Sequence, residues 1–143
     1  CEKLMYAIIV GADRAGEAIA AWLINAGHEV TVVDRSVAKC ESLEDSFGGV
    51  AVLGYGVEHG VLAKSGANRA DVLIAATGMD DVNLVSCQMA MYRFSVGHTI
   101  AVIQNAEYEE LFQNLGDSTV INATKLITDN MMSALSGIQE ENS

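Results

Sequence analysis

The stretch "YAIIVGADRAGEAIAAWLINAGHEVTVVD", residues 6–34, constrains the fold more than any other part of the chain. A short apolar run ends in a glycine turn. An amphipathic segment follows, closed by Gly27, and a second apolar run ends in an acid. The spacing predicts a strand over 6–10, a helix starting near Ala15, and a strand over 29–33. Two consecutive strands joined by a helix are parallel, because a parallel crossover needs about a dozen residues and a helix to cover the sheet.

The same alternation continues. Further β-rich runs lie at 50–53, 72–75, 99–103 and 119–121, with helical stretches between them. In the first helix Ala18, Ile19, Trp22, Leu23 and Ala26 are read as one apolar face. Val37, Cys40, Leu43 and Phe47 form a second stripe. Leu84, Val85, Cys87, Gln88, Met91 and Tyr92 belong to a third helix, with Asp80 or Asp81 as its N-cap. Tyr108, Leu111, Phe112 and Leu115 make a fourth, stopped by Gly116. A last helix over 124–135 carries Leu126, Ile127, Asn130, Met131 and Leu135 along one side. Strands 30–33 and 72–75 are apolar almost throughout, as strands covered on both faces should be. The predicted fold is therefore α/β: a Rossmann-like, doubly wound parallel sheet of six strands in the order 3-2-1-4-5-6, with helices on both faces.

The chain has 143 residues, half of them apolar, which suits one domain with its own core. The whole chain, 1–143, is read as a single domain ending in a crossover helix. No apolar run approaches the roughly 20 residues that a membrane span requires. The start lacks the long apolar region of a signal peptide, and Cys1 at the first position suggests a fragment. Cys1, Cys40 and Cys87 are odd in number and widely spaced, and read as reduced thiols of a cytoplasmic protein. The net charge of −11, from 19 acids and 8 bases without a basic cluster, argues against a nucleic-acid partner. Proline is absent, and nothing in the sequence explains it.

The glycine turn departs from the phosphate-binding pattern G-x-G-x-x-G. Gly11 and Gly16 stand at the first and third positions, which make the tight turn and let helix and strand pack closely. The second position, where a missing side chain admits pyrophosphate to the helix N-terminus, holds Asp13. Two like charges about 4 Å apart at an effective dielectric near 20 repel by roughly 4 kcal/mol. Alternatively Asp13 caps the helix with its own carboxylate, or a divalent cation or Arg14 relieves the repulsion. Asp34, ending the second strand, stands where a carboxylate accepts from ribose hydroxyls and repels a 2′-phosphate. NAD or an adenine nucleotide is favoured over NADP, a preference that neighbouring Arg35 softens.

Other polar residues have plainer readings. His28, His59 and His98 sit apart at element ends and share no metal-ligand spacing. Glu107, Glu109 and Glu110 form a solvated face. No serine, cysteine or lysine stands beside a base in a catalytic arrangement, so no catalytic residue and no metal ligand is assigned.

Beyond the glycine turn the chain resembles the N-terminal subdomain of the KTN/RCK family, cytoplasmic domains that regulate potassium channels and transporters, including Trk-type potassium uptake regulatory proteins. The resemblance rests on "GADRAGEAIAAWLINAGHEVTVVD" (11–34), "ADVLIAATGMDDVNL" (70–84) and "NAEYEELFQNLG" (105–116), and runs from about Tyr6 to Leu135. Generic dehydrogenases share the first segment and seldom the other two. The resemblance implies binding of NAD(H), ATP, ADP or AMP without enzymatic activity. It assigns the nucleotide loop to Gly11, Ala12, Asp13, Arg14, Ala15 and Gly16, and the ribose acid to Asp34 beside Arg35. Ala76, Thr77 and Gly78 match the family's A-T-[GD] turn lining the cleft. Gly54-Tyr55 replaces the family's Gly-Asp after the third strand, and Val102 stands where an arginine is common.

The resemblance further implies a homodimer or higher even oligomer beneath an integral membrane potassium transporter or channel, with Leu126, Ile127, Met131 and Leu135 as candidate contacts. Whether Met131 and Met132 lie in the core or on a dimer surface is left open by the sequence. Three functions are compatible with these readings. They are a ligand-sensing regulatory domain of potassium transport, the cofactor domain of an NAD-dependent oxidoreductase, and an assembly module with a vestigial nucleotide site. Three departures at ligand-facing positions, Asp13, Tyr55 and Val102, point to an altered ligand preference or a degenerate site.

Overall fold

The structure, a computed structural model, describes residues 3–143. Cys1 lies outside the described residues. The first strand, β1 (Tyr6–Val10), is buried along its whole length, as its unbroken apolar run requires. It leads through the glycine turn into α1 (Arg14–Asn25) and β2 (Glu29–Asp34). The alternation continues with α2 (Val37–Phe47), β3 (Ala51–Leu53), the short α3 (His59–Lys64), β4 (Val72–Ala75) and α4 (Asp80–Phe94). It closes with β5 (His98–Ile103), the single-turn α5 (Glu109–Phe112), β6 (Ser118–Asn122) and α6 (Ala123–Glu141).

The six strands form one sheet in the order β3-β2-β1-β4-β5-β6, every neighbouring pair parallel. This is the order the alternation predicts. Because side chains alternate across a strand, β1 feeds two cores. Ile8 and Val10 face the layer of α3 and α4, packing with Leu62, Cys87, Ala90 and Phe94. Ala7 and Ile9 face the other, packing with Ala20 and Leu23 of α1 and Leu43 of α2. Strand order reverses between β1 and β4, and a crevice opens there at the strands' carboxyl ends.

Several local expectations are corrected. In α1 the buried stripe is Gly16, Ala20 and Leu23. Trp22 is 63 % exposed and Ala18 and Ala26 are exposed too, because small residues let the helix backbone approach the sheet and leave the indole outside. Val37, Val85 and Tyr92 also lie outside their helices' buried faces. The α4 stripe is instead Val82, Asn83, Ser86, Cys87, Ala90 and Phe94, two of its members being hydrogen-bonded polar residues. Met79, not Asp80 or Asp81, occupies the N-cap position of α4. The segment expected as one helix near 108–115 is a 3₁₀ turn, Ala106–Tyr108, followed by α5, with Phe112 and Leu115 buried. The last helix is longer than expected, and Asn122 caps it by accepting from Lys125 N. Every apolar side chain along it from Leu126 to Ile138, Met131 and Met132 included, is exposed.

Candidate functional site

Both remaining glycines of the turn are fixed by geometry. Gly11 has φ +108°, and a Cβ there would lie 2.9 Å from backbone atoms of Ala76 and Thr77. A Cβ on Gly16 would lie 1.9 Å from the Gly11 carbonyl oxygen. The turn therefore excludes a side chain at both positions, although its middle glycine is replaced.

Asp13 sits at the N-cap of α1, and its carbonyl accepts from Glu17 N at 2.8 Å. Its carboxylate does not cap the helix; it forms an ion pair with Lys39 in the first turn of α2. The expectation that Asp13 occupies its own anion site is thus corrected. Lys39, not Arg14, is the cation that balances it. The hydrogen bond to Asp13 raises the Lys39 pKa above the usual lysine range. The site consequently carries close to zero charge from this pair, where Asp13 alone would give −1.

Asp34 holds the turn in place. Its Oδ2 accepts from Ala12 N and its Oδ1 from Ser36 N, both at 2.8 Å. One carboxylate thereby ties the glycine turn to the N-terminus of α2, which Ser36 caps by accepting from Lys39 N at 3.2 Å. Each carboxylate oxygen keeps acceptor capacity after these bonds. Beside it the Arg35 guanidinium lies 4.9 Å from the centre of the Tyr55 ring, a cation–π arrangement. Beneath Asp34 the Cys40 thiol is pushed up by burial, which keeps it protonated.

The far wall is the turn after β4. Ala76 N donates to Val10 O at 2.8 Å, continuing the pairing of β4 with β1. Thr77 is fixed by Asn83, a residue that sequence reasoning assigned no role. Asn83 is 0 % exposed; its Oδ1 accepts from Thr77 N at 3.1 Å, and its Nδ2 donates to the carbonyls of Thr77 and Val102. The signal available in the sequence is one asparagine inside the apolar stripe of a helix's first turn. Asp80 adds a second tie, accepting from Gln104 N and Asn105 N at 2.8 and 2.9 Å.

These elements enclose a cleft of about 140 Å³ lined by Val10, Gly11, Val33, Asp34, Arg35, Gly54, Tyr55, Gly56, Thr77, Gly78, Met79 and Val82. It brings together seven of the sequence-predicted residues: Gly11, Asp34, Arg35, Gly54, Tyr55, Thr77 and Gly78. Ala12, Asp13, Arg14, Ala15 and Gly16 form the adjoining turn and first helical turn, and Ala76 lies buried behind the wall. Val102 is not in the lining; it contributes its carbonyl to Asn83. Gly56, absent from the sequence reading, sits where a Cβ would meet Val10 Cγ1 at 2.3 Å. The cleft lies below the roughly 300 Å³ typical of sites that enclose a whole small ligand. It has room for a group the size of a nucleobase. A larger groove of about 590 Å³, between α5, β6 and the root of α6, lies away from the point where the strand order reverses.

The three histidines stand outside the cleft. His28 Nδ1 accepts from Met5 N, His59 stacks on Phe94, and His98 pairs with Asp117. Among the described residues no group of three or more His, Cys, Asp or Glu side chains is arranged to hold a metal ion. Among them, too, no helix is long and apolar enough to cross a membrane.

A parallel sheet with a glycine turn, a strand-end carboxylate and a switch-point cleft defines a Rossmann-like α/β domain. Within that class the chain belongs to the TrkA-N domain family, whose pattern it matches over residues 7–123. It is 33 % identical over 117 residues to a Trk system potassium uptake protein TrkA homolog of Methanothermobacter thermautotrophicus, covering 82 % of this chain and 54 % of that protein. It is 34 % identical over 116 residues to the Trk system potassium uptake protein TrkA of Streptomyces coelicolor, covering 81 % and 52 %. The chain spans about half the length of these curated relatives.

Among solved structures, it is similar in fold to the TrkA-N domain of inner membrane protein ybaL from Escherichia coli. That likeness has a TM-score of 0.83 at 18 % identity, over 94 % of this chain and 99 % of that one. The Kef CTD of Shewanella denitrificans in AMP-bound form gives 0.78 at 20 % identity, over 93 % and 81 %. The GsuK channel bound to NAD gives 0.72 at 23 %, over 84 % and 22 %.

Proposed function

We propose that this domain is a ligand-sensing regulatory part of a potassium transport system, binding NAD(H) or an adenine nucleotide in the switch-point cleft. One observation carries the reading: the glycine turn, Asp34 and the Thr77–Gly78 turn converge on a single cleft in a chain of the TrkA-N family. The base enters between the Arg35–Tyr55 pair and the Thr77–Met79 wall. The ribose hydroxyls donate to Asp34, and the phosphates lie toward the N-terminus of α1. Support for NAD or an adenine nucleotide comes from relatives in fold: the GsuK channel with NAD or ADP, and the Kef CTD with AMP. As a regulatory domain it carries no enzymatic role, in keeping with relatives named as potassium uptake proteins.

The partner is an integral membrane potassium transporter or channel, reached from the cytoplasm, and the domain works as a homodimer or higher even oligomer. The exposed apolar side of α6 supports the pairing: Leu126, Ile127, Met131 and Leu135 are all more than half exposed. A stable interface on this helix buries at least roughly 1,000 Å². A bound nucleotide regulates the partner only through its different affinity for two arrangements of the assembly.

Thermal-shift measurements with NADH, AMP, ADP and ATP test the reading. A ligand at 100 times its Kd stabilises by about 2.7 kcal/mol, so the melting temperature rises with concentration. No rise with any of the four at millimolar concentration favours the vestigial site instead.

A further inference from the structure

Three of the chain's eight basic residues, Arg14, Arg35 and Lys39, gather around the glycine turn of a protein with a net charge of −11. Lys39 is placed against the local electrostatics. It occupies the first turn of α2, where the helix end is itself positive and an acid would be favoured. Its ammonium reaches across to Asp13 at the N-cap of α1, a residue 26 positions earlier, and both side chains remain about half exposed. The pair therefore joins the N-termini of α1 and α2 beside the glycine turn.

We propose that the Asp13–Lys39 pair is a charge-exchange latch that makes the site selective for ligands of low phosphate charge. This rests on the nucleotide reading above. A phosphate arriving at the N-terminus of α1 takes Lys39 from Asp13, trading one ion pair for another. The released carboxylate then faces the phosphates without its partner, and its repulsion grows with their charge. A monophosphate, or the singly charged phosphates of a dinucleotide, is accepted, and a triphosphate is penalised. Lys39 is a binding residue and Asp13 its competitor, so the two act as a unit.

Calorimetric titration of AMP and ATP, without magnesium, into the wild type, Asp13→Asn, Lys39→Gln and the double variant tests the latch. The wild type should bind AMP more tightly than ATP. Asp13→Asn should tighten ATP on the order of tenfold and AMP by less, as loss of one nearby like charge requires. Lys39→Gln should weaken both. The loss should be larger in the Asp13→Asn background, where Lys39 no longer has to be drawn from a partner. If Lys39→Gln leaves both affinities within twofold while the wild type binds, the latch is overturned and the nucleotide reading stands. Equal tightening of AMP and ATP by Asp13→Asn overturns it as well. Failure of every variant to bind either nucleotide overturns the nucleotide reading and the latch with it.

Discussion

Asn83, buried in α4, donates from Nδ2 to the carbonyl of Val102 on β5 at 2.7 Å, while its Oδ1 accepts from Thr77 N at 3.1 Å. A single side chain thus fixes the wall of the cleft to the neighbouring strand. Asn83→Ala takes a side-chain partner from three part-buried backbone groups, Thr77 N and the carbonyls of Thr77 and Val102, and an unsatisfied buried group costs about 1–3 kcal/mol. The variant should lose about 3 kcal/mol in urea denaturation with the slope unchanged. A loss under about 0.5 kcal/mol, the range of an ordinary surface substitution, would contradict this role.

Gly16→Ala sets two effects against each other. Alanine is favoured over glycine within a helix by about 1 kcal/mol. The added Cβ, however, would stand 1.9 Å from the Gly11 carbonyl, and backbone cannot yield as a flexible side chain can. Overpacking of this kind costs about 1–3 kcal/mol. The clash should win, leaving a net loss near 1–2 kcal/mol and weaker nucleotide binding as the turn opens. A more stable variant would show that the turn relaxes freely.

Asp34 should also set cofactor choice. A 2′-phosphate brought against its carboxylate is repelled, with Arg35 beside it offsetting part of the cost. NADH should bind at least about tenfold more tightly than NADPH, and Asp34→Asn should narrow that gap. Fluorescence titration of the two reduced cofactors measures it, and equal affinities in the wild type would refute the role.

The strands were legible because β1, β2 and β4 are apolar runs covered on both faces, a pattern that solvent-facing segments do not sustain. The glycine turn was legible because its two glycines are sterically forced. Faces of helices were less so. Trp22 misleads because α1 packs through Gly16 and Ala20, and bulk does not reveal which side a helix turns inward. The six-residue α3 was missed because only Leu62 is buried along it. Lys39 was not legible as a site residue because its partner, Asp13, lies 26 residues earlier and nothing local marks the pairing. Asn83 stands out locally only as a polar residue in an apolar stripe, and its bond to the Val102 carbonyl, 19 residues on, is set by the fold.

Cys87 is fully buried against β5, and desolvation pushes its thiol up to about 12. At pH 8 the thiolate fraction is then about one in ten thousand, far below that of an exposed cysteine. Iodoacetamide should leave Cys87 unmodified in the folded protein and alkylate it after denaturation, as read by peptide mass spectrometry. Rapid modification under native conditions would mean that this core opens readily.

The apolar side of α6 should carry the self-association. Met131→Asp or Leu135→Asp should convert an assembled wild type to monomers in light scattering at micromolar concentration, with helix content retained. A wild type that is monomeric under these conditions, with or without nucleotide, would remove the dimer from the account.

Nucleotide binding at the switch-point cleft is the central claim, and calorimetric titration of the domain with NADH and AMP tests it most directly. At least one of them should fill one saturable site per chain, weakened on the order of tenfold or more when Asp34→Ala removes the acceptor for the ribose hydroxyls. Heats indistinguishable from dilution for both ligands at millimolar concentration, or binding that Asp34→Ala leaves unchanged, would contradict it.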